Sequence, residues 1–150
     1  MHAMQALKQA FIFRDVPEPV LELVARAVEE IAVPAGEVLV SAVDVPDSIY
    51  IIRSGTLSMV PAEDARPVLF GSGETIGEAQ FVDGQPAGVT VVALERAELL
   101  VIRAAKLARV LAGHPEAAFE TYRAIARLLA GRLRRAAGML PVTHEPDARP

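Results

Sequence analysis

The chain has 150 residues, of which 52% are hydrophobic and 23% charged, with a net charge of −4. That length allows one domain with a real core, and the acidic balance excludes a broadly basic nucleic-acid surface. Charged residues interrupt every window long enough to span a bilayer, and the lack of cysteine excludes disulfides, a thiol nucleophile and a cysteine-ligated iron–sulfur cluster.

Near the start, Ala6, Leu7, Ala10 and Phe11 recur at helical spacing, which predicts a helix over Met4 to Phe13. Lys8 interrupts this segment and no small-residue cleavage site follows, so no signal peptide is expected and the expected location is cytoplasmic. Asp15-Val16-Pro17-Glu18-Pro19 reads as a helix start in which Asp15 caps and the prolines occupy the first turn. Val20, Leu21, Val24, Ala27, Val28 and Ile31 then define one face of a second helix, with Glu22, Arg26, Glu29 and Glu30 opposite.

From Ile31 the texture changes to short β-rich runs punctuated by turn residues. Val38-Leu39-Val40, Ile49 to Ile52, Thr56 to Val60, Val68-Leu69-Phe70, Val89 to Leu94 and Glu98 to Ile102 read as strands. Between them lie turn signals at Val33 to Glu37, Ser54-Gly55, the acidic Ala62 to Pro67 and Glu95-Arg96. Even spacing of short strands predicts a jelly roll or barrel. Ala104 to Ala112 reads as a short helix closed by Gly113, and Pro115 starts a longer one that runs to about Ala137. On that helix Phe119, Tyr122, Ala126, Leu129 and Leu133 step by alternating threes and fours, a seam suited to a homodimer or to the domain's own core. Arg123, Arg127, Arg132, Arg134 and Arg135 lie on the other face, where an ordinary solvated surface explains them. Gly131 weakens the middle of the helix by about 1 kcal/mol relative to Ala, so packing must hold it. The predicted organisation is N-terminal helices at 1–30, a β-roll at 31–103, C-terminal helices at 104–137 and a disordered tail at 138–150.

The segment from Phe70 to Val92 carries the candidate site. Gly71-Ser72-Gly73 makes a turn, Ile76-Gly77-Glu78 leads into a helical segment closed by Asp83-Gly84, and a β-branched run begins at Val89. Amide groups at the start of a short helix, a glycine beside them and an acid that accepts hydroxyl hydrogen bonds together suit a sugar phosphate. The bland alternative is a β-bulge followed by a solvated acid. Gly71-Ser72-Gly73 is a weak dinucleotide-loop signal, because no long helix or βαβ unit follows. His2, His114 and His144 have no partners at metal-ligand or triad spacing, and His114 reads as a helix-end cap. Glu63 and Asp64 read as a solvated hairpin tip. No nucleophile, base and orienting group assemble, so no catalytic residue and no metal ligand is expected.

The Phe70 to Val92 segment resembles the phosphate-binding cassette of the cyclic-nucleotide-binding domain family. Pro34-Ala35-Gly36-Glu37 and Asp47 to Gly55 match its recurring strand-turn signatures, and Phe13 to Pro17 matches its usual beginning. The resemblance implies an α+β, mainly β fold: an antiparallel β-roll (jelly roll) flanked by N-terminal helices and a long C-terminal helix. It implies a ligand pocket at Gly77, Glu78, Ala79, Gln80, Ala87, Gly88 and Thr90, in which Glu78 would hold a ribose hydroxyl. It also places Ala87 where the family has its phosphate-binding Arg and Gly88 where the family has Ser or Thr, and Val43 replaces a usual Gly. Cyclic AMP or cyclic GMP is therefore possible but disfavoured, and Glu78 is expected to lack a neighbouring cation. A substitute could come from the amides of Ala79, Gln80 and Gly88, or from Arg123 or Arg127 folded over the pocket.

Two functions of different class follow. One is a non-catalytic regulatory or interaction module, dimeric through its last helix and working with a separate protein effector or scaffold. The other is a sensor that binds a cyclic nucleotide or another anion at Gly77 and Glu78 and signals to a separate effector. DNA binding is not expected, since the helix-turn-helix that the family's transcription factors carry after the long helix is not found here, and membrane insertion is not expected, since charged residues interrupt every spanning window.

Overall fold

The computed structural model describes residues 2–61 and 66–139. The chain opens with α1 (His2–Gln9), a 3-10 turn (Phe11–Phe13) and α2 (Glu18–Ala25). Strands β1 (Val28–Val33), β2 (Val38–Val40), β3 (Ser48–Ser54), β4 (Leu57–Pro61), β5 (Val68–Phe70) and β6 (Thr75–Ile76) follow. A short helix α3 (Glu78–Asp83) separates them from β7 (Val89–Ala93) and β8 (Ala97–Arg103), and α4 (Ala104–Ala112) and α5 (Pro115–Ala136) complete the order.

Among the described residues all strand pairs are antiparallel, in two four-stranded sheets ordered β1-β8-β3-β6 and β2-β7-β4-β5. The α+β roll with a long C-terminal helix is the architecture expected from the sequence. Because β3 is covered on both faces, it reads as a continuous apolar run rather than an alternation. Ile49 and Ile51 point into a core shared with α1, α2, α4 and α5, whereas Tyr50 and Ile52 point into the core between the sheets with Leu57, Phe70, Val91 and Leu99. Ala117, Thr121, Ala124 and Ile125 are the buried residues of α5, which fixes how that helix lies across the domain.

Several local readings change. The second helix ends at Ala25, and Val28 to Ile31, read as its last turn, open β1 instead, with Val28 opposite Ile102 and Ile31 opposite Leu99 on β8. A spacing of three between Val28 and Ile31 fits a helix by itself; the free edge of β8 is what extends it. The first helix stops at Gln9, and Phe11–Phe13 form a separate 3-10 turn. Asp15 does not cap α2: Pro17 occupies the N-cap without a side-chain bond, and Asp15 pairs with Arg127 at 3.4 Å. Thr75–Ile76, not read as a strand, form β6 against Tyr50 and Ile51. Gly138, read as the start of the tail, closes α5 at a φ of 74°, with its amide on Arg135 O and the Met139 amide on Arg134 O. The hairpin tip with Glu63 and Asp64, and the tail from residue 140, lie outside the described residues.

Candidate functional site

Gly77 sets the geometry of the cassette. Its φ is 97°, and a Cβ there would lie 2.5 Å from Ser48 O, so only glycine lets the chain pass this close to β3 as it turns from β6 into α3. The next residue is thereby driven beneath the helix, and Glu78 is only 1% exposed. Gly84, also left-handed, ends the six-residue helix with its amide on Gln80 O at 2.8 Å.

A buried carboxylate requires a partner, and a cation supplies it. Arg132, on α5, donates from Nη1 to Glu78 Oε1 and from Nη2 to Thr75 O at 2.8 Å. Its guanidinium carbon lies 5.5 Å from the centre of the Phe70 ring, within cation–π range. Burial pushes the Arg132 pKa below its ordinary value; the charge of Glu74 opposes that and Arg135 adds to it. Glu78 Oε2 and Thr75 Oγ1 are buried and accept or donate no hydrogen bond.

The expectation that Glu78 lacks a cation is thus overturned, and so is the choice of substitute. Arg127 pairs with Asp15, and Arg123 pairs with Glu120 at 3.0 Å while its guanidinium covers Phe119. Arg132, read as one of five arginines on the solvated face, lies at about 3.6 residues per turn on the side of the buried Thr121 and Ile125, opposite Arg123, so helical spacing sets it apart. Its partner, 54 residues away, is fixed only by packing.

A cavity of about 150 Å³ lies above the pair, lined by Val40, Met59, Ile76, Ala87 and Val89 with Pro46, Gly77 to Gln80 and Arg132. Gly77, Glu78, Ala79, Gln80 and Ala87 are therefore brought together. Gly88 and Thr90 are not among its walls: Thr90 pairs with Val60 on the sheet's outer side. At the corner where the family pattern calls for phosphate donors, the Ala87 amide donates to Asp44 O at 2.9 Å and the Gly88 amide to Ala42 O at 2.8 Å. The Gly88 amide, expected to remain available, is consumed in holding the 42–46 loop. Val43 points its side chain into solvent, so the absence of a glycine there does not fill the cavity.

The seam residues divide. Tyr122 stacks on Phe81 of α3 with ring centres 5.6 Å apart, and Leu129 packs against the helical core. Phe119, Ala126 and Leu133 are exposed, Phe119 and Leu133 to 61% and 66%. Gly71-Ser72-Gly73 is a structural turn: Ser72 Oγ donates to Arg53 O, and Gly73 O accepts from the Phe11 amide. The His114 ring nitrogen lies 2.9 Å from Val110 O at the end of α4, a cap as read. Among the described residues no group of three metal-ligating side chains occurs, and no helix is long and apolar enough to cross a membrane.

Residues 30–114 match the family model described as cyclic nucleotide-binding domain. An uncharacterized NTE family protein of Mycobacterium tuberculosis is 32% identical over 127 residues, covering 85% of this chain and 22% of that protein. A cyclic nucleotide-gated potassium channel of Mesorhizobium japonicum is 29% identical over 107 residues, covering 71% of this chain and 29% of the channel. The chain thus spans less than a third of the length of these curated relatives. Among solved structures, the catabolite activator protein of Thermus thermophilus superposes with a TM-score of 0.71 at 24% identity, covering 85% of this chain and 60% of that one, a likeness of fold.

Proposed function

The chain belongs to the cyclic nucleotide-binding domain family, and from that premise we propose that it is a non-catalytic regulatory module in which binding of cyclic AMP or cyclic GMP is impaired or lost. One observation carries the reading: the acid that would hold a ribose hydroxyl is already bonded to Arg132 of the chain's own last helix. The missing phosphate donors point the same way. A charge-assisted hydrogen bond to an arginine is worth about 1.5–3 kcal/mol, so alanine at position 87 weakens phosphate binding by about tenfold to more than a hundredfold. In this reading the module acts through α5, whose exposed Phe119, Ala126 and Leu133 form a homodimer contact or dock a separate effector or scaffold protein in the cytoplasm.

The position of Arg132 also favours a second reading, that of a sensor. A ligand that competes for Glu78 or Arg132 removes a tether between the cassette and α5, and so passes its presence to whatever α5 contacts. Calorimetry with cyclic AMP and cyclic GMP separates the two. The proposal expects no binding in the micromolar range, and micromolar binding that Glu78→Ala abolishes would establish the sensor in its place.

A further inference from the structure

We infer that the partner of α5 is a second copy of the chain lying antiparallel to it, with Leu133 of each copy against Phe119 of the other and Arg134 of each facing Glu116. The inference rests on the reading of α5 as a homodimer contact and fixes how that contact is made.

The outward face of α5 is apolar and has a small centre. Phe119 and Leu133 are 61% and 66% exposed towards its two ends, the exposed Ala126 lies midway between them, and Ala130 is half-buried on the same face. Contiguous exposed apolar side chains mark a contact surface, and alanines at the centre let a second helix approach closely.

Charge selects the direction. Glu116 and Arg134 are 18 residues apart, about five turns, and so stand on one flank of that face. A two-fold axis that relates antiparallel helices sets like flanks side by side, which brings each Arg134 level with the other copy's Glu116. The midpoint of that pair falls at Ile125 and the midpoint of Phe119 and Leu133 at Ala126, so one axis beside Ala126 makes both contacts at once. A parallel pair instead brings Glu116 level with Glu116 and Arg134 with Arg134, opposing like charges at both ends. Among the described residues Glu116 and Arg134 are exposed and form no ion pair, whereas Glu120 holds Arg123 and Asp15 holds Arg127.

The start of α5 also provides a seat for the other copy's end. A groove of about 450 Å³ is walled by Pro17, Pro19 and Val20 beside α2 and by Pro115 and Phe119 of α5, with Glu116 among its lining residues. Proline walls are fixed before anything binds, so filling the groove costs little conformational freedom. With the axis beside Ala126, Leu133 of the second copy falls level with Phe119 and its exposed Met139 falls near Pro115, two apolar side chains for one apolar groove.

The chain has no cysteine, so a single introduced thiol reports alone. Ala136→Cys, at an exposed position ten residues past Ala126, is labelled with a nitroxide in the full chain, and the distance between the two labels is measured by pulsed electron paramagnetic resonance. An antiparallel pair separates the labelled positions by about 30 Å, whereas a parallel pair leaves them about one interhelical distance apart, about 8–10 Å, and broadens the continuous-wave spectrum. In a second measurement Glu116→Cys and Arg134→Cys are each treated with a short bismaleimide, alone and as a mixture. The mixture is expected to give the covalent dimer, and each variant alone to give none. A label distance outside about 20–40 Å overturns the antiparallel arrangement and leaves the homodimer reading standing. Self-cross-linking of either variant, or no product from the mixture, does the same. A monomer mass for the unaltered chain by light scattering overturns the homodimer reading itself and the inference with it, so the two failures are distinct.

Discussion

Replacing Arg132 by alanine tests the tether between α5 and the cassette. The Glu78 side chain is 2% exposed and that of Arg132 28%, so the substitution leaves a carboxylate in the interior without its cation. Removing one partner of a fully buried pair costs about 3–5 kcal/mol. The partial exposure of Arg132 places this pair below that range, at about 2–3 kcal/mol, with the lost bond to Thr75 O included. For a chain of this size that corresponds to a fall in Tm of about 4–12 °C. Urea denaturation followed by circular dichroism, at one fixed protein concentration, reads the difference for Arg132→Ala, Glu78→Gln and the double variant. Glu78→Gln removes the charge that Arg132→Ala strands, so the double variant is expected to recover much of the loss, with a coupling of about 2 kcal/mol. A cost below about 0.5 kcal/mol for Arg132→Ala, or a double variant no more stable than the single one, would refute a buried ion pair at this place.

Gly77→Ala is expected to cost more than about 2 kcal/mol, because the left-handed backbone strain is joined by a clash with Ser48 O, whereas Gly88→Ala, left-handed at φ 72° with open space around it, costs about 1 kcal/mol; the reverse order in thermal melts would show that the close approach at Gly77 is not made. Burial, with the charge of Asp47 adding, raises the pKa of Tyr50 above its ordinary value near 10. Its neutral form is favoured in the fold, so that contribution is whole below about pH 10 and is lost as pH rises through the folded pKa; stability measured against pH is expected to fall there, and an identical slope in Tyr50→Phe counts against it. For the α5 surface, light scattering is expected to give a dimer mass that Phe119→Glu with Leu133→Glu halves. These positions are more exposed than Leu129, whose packing on the core would confound the result, and a monomer mass in both proteins rules the contact out.

What lies within a few residues along the chain was legible from its order. The alternating and β-branched runs give the strands, Gly77 and Gly84 bracket a helix of the expected position, and Pro115 begins the last helix where it was read. The absence of an arginine and a hydroxyl at Ala87 and Gly88 is likewise a property of the sequence alone. Tertiary structure decided the rest. Val28 to Ile31 carry a spacing compatible with helix or strand, and pairing with β8 selects the strand. An amide cannot announce its acceptor, so the bonds of Ala87 and Gly88 to the 42–46 loop appear only once both loops are placed. The five arginines of α5 read as one solvated face, but helical spacing puts Arg132 on the side of the buried Thr121 and Ile125, opposite Arg123; that spacing was legible, whereas its pairing with Glu78 was not. The burial of Ala117, Thr121, Ala124 and Ile125 fixes the rotation and path of that helix, and its rise of about 1.5 Å per residue carries Arg132, rather than Arg123 or Arg127, to the cassette. Local spacing encodes which element forms; only the packing of elements distant in sequence determines which charges meet.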